Sequence, residues 1–226
     1  MRTLQRAAQL ILLLALFGCS ADAPETAAVP ATSDALPTAA TTILAFGDSL
    51  TEGLGVSEAE TYPSVLEARL QADGFAVEVI NGGISGETSS AALARVDWML
   101  DTEPDIVIVE SGGNDGLRGI DLELTEANLD EIVSRFDESG AVVIVAGLQI
   151  IQNLGQDYTT QFAAMYPTIA GRYDAILIPF ILEGIAADPE FNQPDFVHPN
   201  PAGYEIMVEV IYPFVLEGLE ASVCCP

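Results

Sequence analysis

Residues 42–53 read Thr42-Ile43-Leu44-Ala45-Phe46-Gly47-Asp48-Ser49-Leu50-Thr51-Glu52-Gly53, and their order decides the fold. The run Ile43–Phe46 offers no polar face to water. A strand of this kind is buried on both sides, as in a parallel sheet covered by helices; a half-exposed strand would alternate. Near-continuous apolar runs return at Val77–Ile80, Ile106–Val109, Val142–Ala146 and Ile176–Ile178. Between them lie stretches with helical spacing, at about Tyr62–Asp73, Ser90–Leu100, Glu126–Glu138 and Tyr158–Tyr173. A last helix is expected from Pro201 to about Leu216, with Pro201 accepted in its first turn and Pro213 kinking or shortening it. Strand and helix in alternation, with short links, predict an α/β protein of three-layer α/β/α architecture. Its centre is a mostly five-stranded parallel sheet with right-handed crossovers.

Ligands of such sheets bind beyond the carboxyl ends of the strands. The strand-to-helix loops are therefore the informative places. They read Gly47–Gly53, Asn81-Gly82-Gly83-Ile84-Ser85-Gly86-Glu87-Thr88, Gly112-Gly113-Asn114-Asp115 and the late segment Asp195-Phe196-Val197-His198-Pro199-Asn200. All four should meet on one edge of the sheet.

Two absences narrow the chemistry. The chain has no lysine, its seven basic residues being Arg2, Arg6, Arg69, Arg95, Arg118, Arg135 and Arg172, and it has one histidine, His198. Schiff-base and pyridoxal chemistry, a phosphate-loop lysine and a Ser-Lys dyad all need the missing amine. Paired-histidine zinc motifs need a second imidazole. His198 is thus the one side chain suited to moving protons near neutral pH. Ser49, directly after the first strand, is the hydroxyl it could activate. Asp195, three residues before His198, can reach back to the ring through a tight turn, fix its tautomer and stabilise the imidazolium. Acyl transfer also needs donors for a developing oxyanion; the candidates are the backbone N–H of Ser49, the backbone N–H of Gly86 and the side-chain amide of Asn114.

Taken together, Gly47-Asp48-Ser49-Leu50, Gly86, Gly113-Asn114-Asp115 and Asp195-Phe196-Val197-His198 resemble the four blocks of the SGNH (GDSL) hydrolases. The resemblance spans about Thr42 to Leu219. It is nearest to the bacterial acyl-thioesterase, lysophospholipase and arylesterase branch, where runs similar to Ile84–Ser89 and Gly112–Gly119 are characteristic. It implies a flavodoxin-like fold, a Ser49-His198-Asp195 triad, no metal and no organic cofactor. It also implies that Asp115, Gly116, Leu117, Arg118 and Gly119 form a loop that moves over the acyl chain, and that a later loop around Leu148–Tyr158 shapes the substrate groove. The Gly-x-Ser-x-Gly motif of the larger α/β-hydrolase class is absent.

The ends of the chain read differently. Arg2, Arg6 and the apolar run Leu10–Phe17 resemble an export leader, too short for a membrane span, which needs about 20 residues. The leader, residues 1–19, closes on Leu16-Phe17-Gly18-Cys19, which is similar to a bacterial lipobox although Phe17 stands where a small residue is usual. Acylation of Cys19 would anchor the protein to a membrane, and residues 20–41, rich in Ala, Pro and Thr, would form a flexible tether. An ordinary cleaved leader is the alternative. The domain is expected over residues 42–219 and a tail over 220–226, with Cys224 and Cys225 as tail thiols or as a contact with another chain. An exported protein, periplasmic or held on a membrane, is the expected localisation.

The formal net charge is −27, which repels phosphate backbones and sets nucleic acid aside as a partner. Dense carboxylates without lysine suit a saline habitat as well as an ordinary acidic exported protein. The expected activity is hydrolysis of carboxylic esters, thioesters or lysophospholipids through an acyl-enzyme. The rivals are an esterase of O-acetylated glycans on the same fold and a non-catalytic acidic surface lipoprotein.

Overall fold

The structure, a computed structural model, describes residues 40–150 and 154–224. The leader, Cys19, most of the tether and Cys225 lie outside the described residues. Five strands form one all-parallel sheet: β1 (Thr41–Gly47), β2 (Val77–Gly83), β3 (Ile106–Glu110), β4 (Val142–Ala146) and β5 (Ile176–Ile178), in the order β2-β1-β3-β4-β5. The fold class is the one read from the apolar runs. Register aligns Phe46 with Gly82 on one side and with Val109 on the other, so the strands end together. The order reverses between β1 and β3, a topological switch point of the kind where α/β sheets bind ligands.

Helices cover both faces. α2 (Tyr62–Ala72) and α8 (Pro201–Cys224) pack together on one side; α3 (Ser89–Ala94), α4 (Val96–Leu100), α6 (Leu122–Glu138) and α7 (Gln156–Arg172) pack among themselves on the other. The central strands are therefore sealed: Ile43, Leu44, Phe46, Ile106, Val107, Ile108 and Ile144 have no exposure. Each such side chain contributes about 1.5–3 kcal/mol through burial. α6 shows how the pattern works, since Leu129, Ile132, Val133 and Phe136 share its inner stripe and Phe136 meets Phe46 edge-on at 5.2 Å.

Two expectations about helices are corrected. The helix expected at Ser90–Leu100 is broken at Arg95, whose backbone (φ −112°, ψ 4°) leaves the helical region. Arg95 turns its guanidinium inward, to the Glu87 carboxylate at 2.6–3.0 Å and the Gly47 carbonyl at 3.2 Å, and lies over the Phe46 ring. That buried ion pair outweighs one turn of helix. The last helix does not stop near Leu216 but runs on to Cys224. Pro213 costs a helix interior about 3 kcal/mol. Burial of Ile211, Val215 and Leu219 in the core cluster compensates for it. Gly218 lets this helix approach the sheet: a Cβ there would stand 3.3 Å from Ile144 Cδ1.

Candidate active site

The first strand delivers Ser49 to the sheet edge. Behind β1 the chain enters α1 (Ser49–Glu52), a single turn capped by Asp48, whose Oδ1 accepts the Leu50 N–H at 3.1 Å. Gly53, left-handed at φ +86°, ends it. Ser49 is thereby held at the first position of the turn.

The late segment comes to the same place. Asn192 pairs with Pro199 across a narrow loop, and Asn200 Oδ1 accepts the Gly203 N–H at 3.0 Å, which starts α8. Gln193 fastens this loop to the turn after Ser49 by donating to the Leu54 carbonyl at 2.6 Å and the Pro199 carbonyl at 2.9 Å. His198 Nε2 lies 2.8 Å from Ser49 Oγ, and His198 Nδ1 lies 2.7 Å from Asp195 Oδ2. In the neutral tautomer that suits both contacts, Nδ1–H donates to the carboxylate and Nε2 accepts from the serine hydroxyl. Asp195 Oδ1 accepts the N–H groups of Val197 at 2.9 Å and His198 at 3.0 Å. Partial burial pushes the Asp195 carboxyl up, but those N–H donors and the imidazole outweigh it and hold the group down at about 2. Phe196, at the apex, takes φ +59°, strained for a bulky side chain.

The other expected residues fall on the neighbouring loops. Gly86 adopts φ +77° in a turn after β2, a conformation glycine takes without strain. Asn114 follows β3; its Nδ2 donates to Asp48 Oδ2 at 3.0 Å. Arg118 ties the two loops together, donating to the Gly86 carbonyl at 2.9 Å and to Asn114 Oδ1 at 3.4 Å.

The segment expected as a loop over the acyl chain is α5 (Gly113–Arg118), closed by left-handed Gly119. Asp115 faces inward, accepting from Ser89 Oγ at 2.6 Å and Ser89 N–H at 2.8 Å. Gly116 is buried, and a Cβ there would stand 2.7–2.8 Å from Ile150 and Phe162. Both residues anchor the segment to its neighbours. Leu117, exposed, turns to an apolar cleft of about 240 Å³ that it shares with Leu148, Ile150, Phe180, Leu182 and Phe196. Leu50, next to Ser49 in the chain, also lines it. Leu148–Ile150 belong to the later loop expected at the groove, and residues 151–153 lie outside the described residues.

Reading the loops missed several residues. Glu110 closes an otherwise apolar strand and lies fully buried behind Asp48, accepting the Asp48 N–H at 3.2 Å. A carboxylate at the end of an apolar strand was the available signal. Phe180 and Leu182 carry no motif that marks them as lining. Among the described residues no group of three or more His, Cys, Asp or Glu side chains could hold a metal ion.

A parallel α/β/α sheet with a serine, an imidazole and a carboxylate in hydrogen-bonded series at its carboxyl edge has the frame of a serine hydrolase. Residues 45–206 match the model of the GDSL-like Lipase/Acylhydrolase family, and the chain belongs to that family. An arylesterase of Vibrio mimicus is 36% identical over 170 residues, 75% of this chain and 85% of that one. The thioesterase 1/protease 1/lysophospholipase L1 of Escherichia coli K12 is 37% identical over 163 residues, 72% and 77% of the two chains. The psychrotrophic esterase EstA from Pseudoalteromonas sp., solved inhibited by monoethylphosphonate, superposes with a TM-score of 0.76 at 31% identity, covering 80% of this chain and 99% of that one. The chain is an enzyme, a hydrolase of the SGNH type.

Proposed function

We propose that this protein is a serine esterase of broad acyl specificity, acting on carboxylic esters, thioesters or lysophospholipids. The observation that carries the reading is the unbroken series from Ser49 Oγ to His198 Nε2 at 2.8 Å and from His198 Nδ1 to Asp195 at 2.7 Å. His198 takes the hydroxyl proton as Ser49 Oγ attacks the carbonyl carbon. Asp195 orients the ring and stabilises its charged form. The carbonyl oxygen, now negative, is met by the N–H groups of Ser49 and Gly86 and by the Asn114 amide. One hydrogen of that amide is held by Asp48, and the second remains for the oxyanion. The tetrahedral adduct collapses, the alcohol or thiol leaves with the proton from His198, and water repeats the sequence to release the acid. The cleft from Leu50 to Phe196 gives an apolar acyl chain a place to lie.

Several of the relatives are named for these ester classes, which supports the choice of substrates. An acyl anchor on Cys19, if the leader is processed as a lipobox, would hold the enzyme beside lipid substrates. The test is Ser49→Ala. It should lower turnover of p-nitrophenyl esters by about 10³-fold or more and abolish labelling by a fluorophosphonate. Retained hydrolysis by the variant defeats the reading. A series of ester chain lengths on the same preparation separates it from a glycan deacetylase, which would favour acetyl steeply.

A further inference from the structure

Behind Ser49 lies a second acidic group that the mechanism above does not use. Glu110 is completely buried at the end of β3. Its Oε2 accepts the Asp48 N–H at 3.2 Å and the Thr51 hydroxyl at 2.9 Å; its Oε1 has no partner. The two acidic side chains are neighbours: the Asp48 N–H meets the Glu110 carboxyl, and both groups are buried. Room for this carboxyl is built into the turn. A Cβ on Gly47 would stand 2.6 Å from Glu110 Oε2 and 2.1 Å from Thr51 Oγ1.

Among the described residues no arginine pairs with either carboxyl. The groups around them are Thr51 on the β1–α1 turn, Tyr62 on α2, Tyr166 on α7, Tyr204 on α8 and, on the Asp48 side beyond Ser49, the His198 imidazole. The Arg95 guanidinium is bound to Glu87 and the Gly47 carbonyl, and among the described residues neither Asp48 nor Glu110 has an ion-pair partner. Two carboxylates cannot both stay ionised side by side in such a place. Asp48 is the one committed as an acceptor, to the Leu50 N–H and the Asn114 amide. Glu110 is the one with an idle oxygen.

We propose that Glu110 is a positioning residue. It is a neutral carboxylic acid that donates its proton to the Asp48 carboxylate and so fixes both the Ser49 turn and the Asn114 amide. The pair then carries one negative charge and one shared proton, and no atom is gained or lost in turnover. A second negative charge so close to Ser49 would oppose the oxyanion. Burial first, and then the Asp48 charge, push the Glu110 carboxyl well above its ordinary range, in line with the geometry. The role rests on the esterase reading; the protonation of Glu110 does not.

The experiment has two arms on the full chain. Carbon-13 carboxyl spectra of glutamate-labelled protein should show one Glu carboxyl still protonated at neutral pH, absent from Glu110→Gln. In turnover, Glu110→Met matches the volume without donor or acceptor and should lower kcat about 10²-fold with little change in KM. Glu110→Gln, which keeps a donor for Asp48 and an acceptor for its N–H, should restore kcat to within about tenfold of wild type. A spectrum with every glutamate ionised overturns the proposal, and so does a Met variant as active as the Gln variant, which would make the side chain mere filling. If the Met variant does not fold, the spectrum and the Gln variant decide. Wild-type protein that neither takes a fluorophosphonate nor hydrolyses esters sinks the esterase reading and leaves the spectrum to judge Glu110 by itself.

Discussion

Asp195 and Glu110 are both carboxyls near one serine, and their surroundings drive them in opposite directions. Asp195 accepts two backbone N–H groups and an imidazole, which depress it to about 2 from 3.8. A depressed acid contributes stability that is present above its unfolded value and lost as pH falls through its folded one. That contribution should therefore fade between about pH 4 and pH 2. Asp195→Asn should flatten this part of an acid-unfolding curve and lower kcat about 10²–10⁴-fold at neutral pH. Glu110 is raised, so the native state holds a proton that the unfolded chain has already released above its ordinary value of 4.5. Stability should fall with rising pH on its account, by about 1.4 kcal/mol per pH unit until the native group ionises. Chemical denaturation at several pH values between 5 and 8 should show a shallower fall for Glu110→Gln than for wild type.

Among the elements, α5 does more than follow β3. Its last residue, Arg118, reaches back to the Gly86 carbonyl and to Asn114 Oδ1, so one exposed side chain sets the spacing of two loops from different strands. Arg118→Leu should lower kcat about tenfold with folding stability within about 0.5 kcal/mol of wild type, as steady-state kinetics and denaturant melts will register. The strands were legible because burial on both faces leaves an unmistakable apolar run, as in Ile106–Val109. Ser49, Asp195 and His198 were legible because the histidine has no rival in the chain. The break at Arg95 was not, since it depends on Glu87 and on the carbonyl of Gly47, far away in sequence. Nor was the inward turn of Asp115, whose partner Ser89 opens a helix behind another strand, or the passage of α8 through Pro213, which packing against the sheet decides.

At the scale of the molecule, charge dominates. The formal net charge is −27, and the surface arginines already sit among acids: Arg172 with Glu126 and Asp130, Arg135 with Asp97 and Glu131. What is left is mutual repulsion of carboxylates, which salt screens over a distance of about 10 Å at 0.1 M. The melting temperature should rise as NaCl goes from a few millimolar to molar; indifference over that range would count against a protein suited to brine.

The hydroxyl and the imidazole that meet at 2.8 Å are 149 positions apart in the chain. The serine is made at the end of the first strand and the imidazole arrives after the fifth. A ribosome that has finished four strands carries a serine with nothing to take its proton. On the esterase reading, catalytic power therefore comes late, in the last stretch of synthesis.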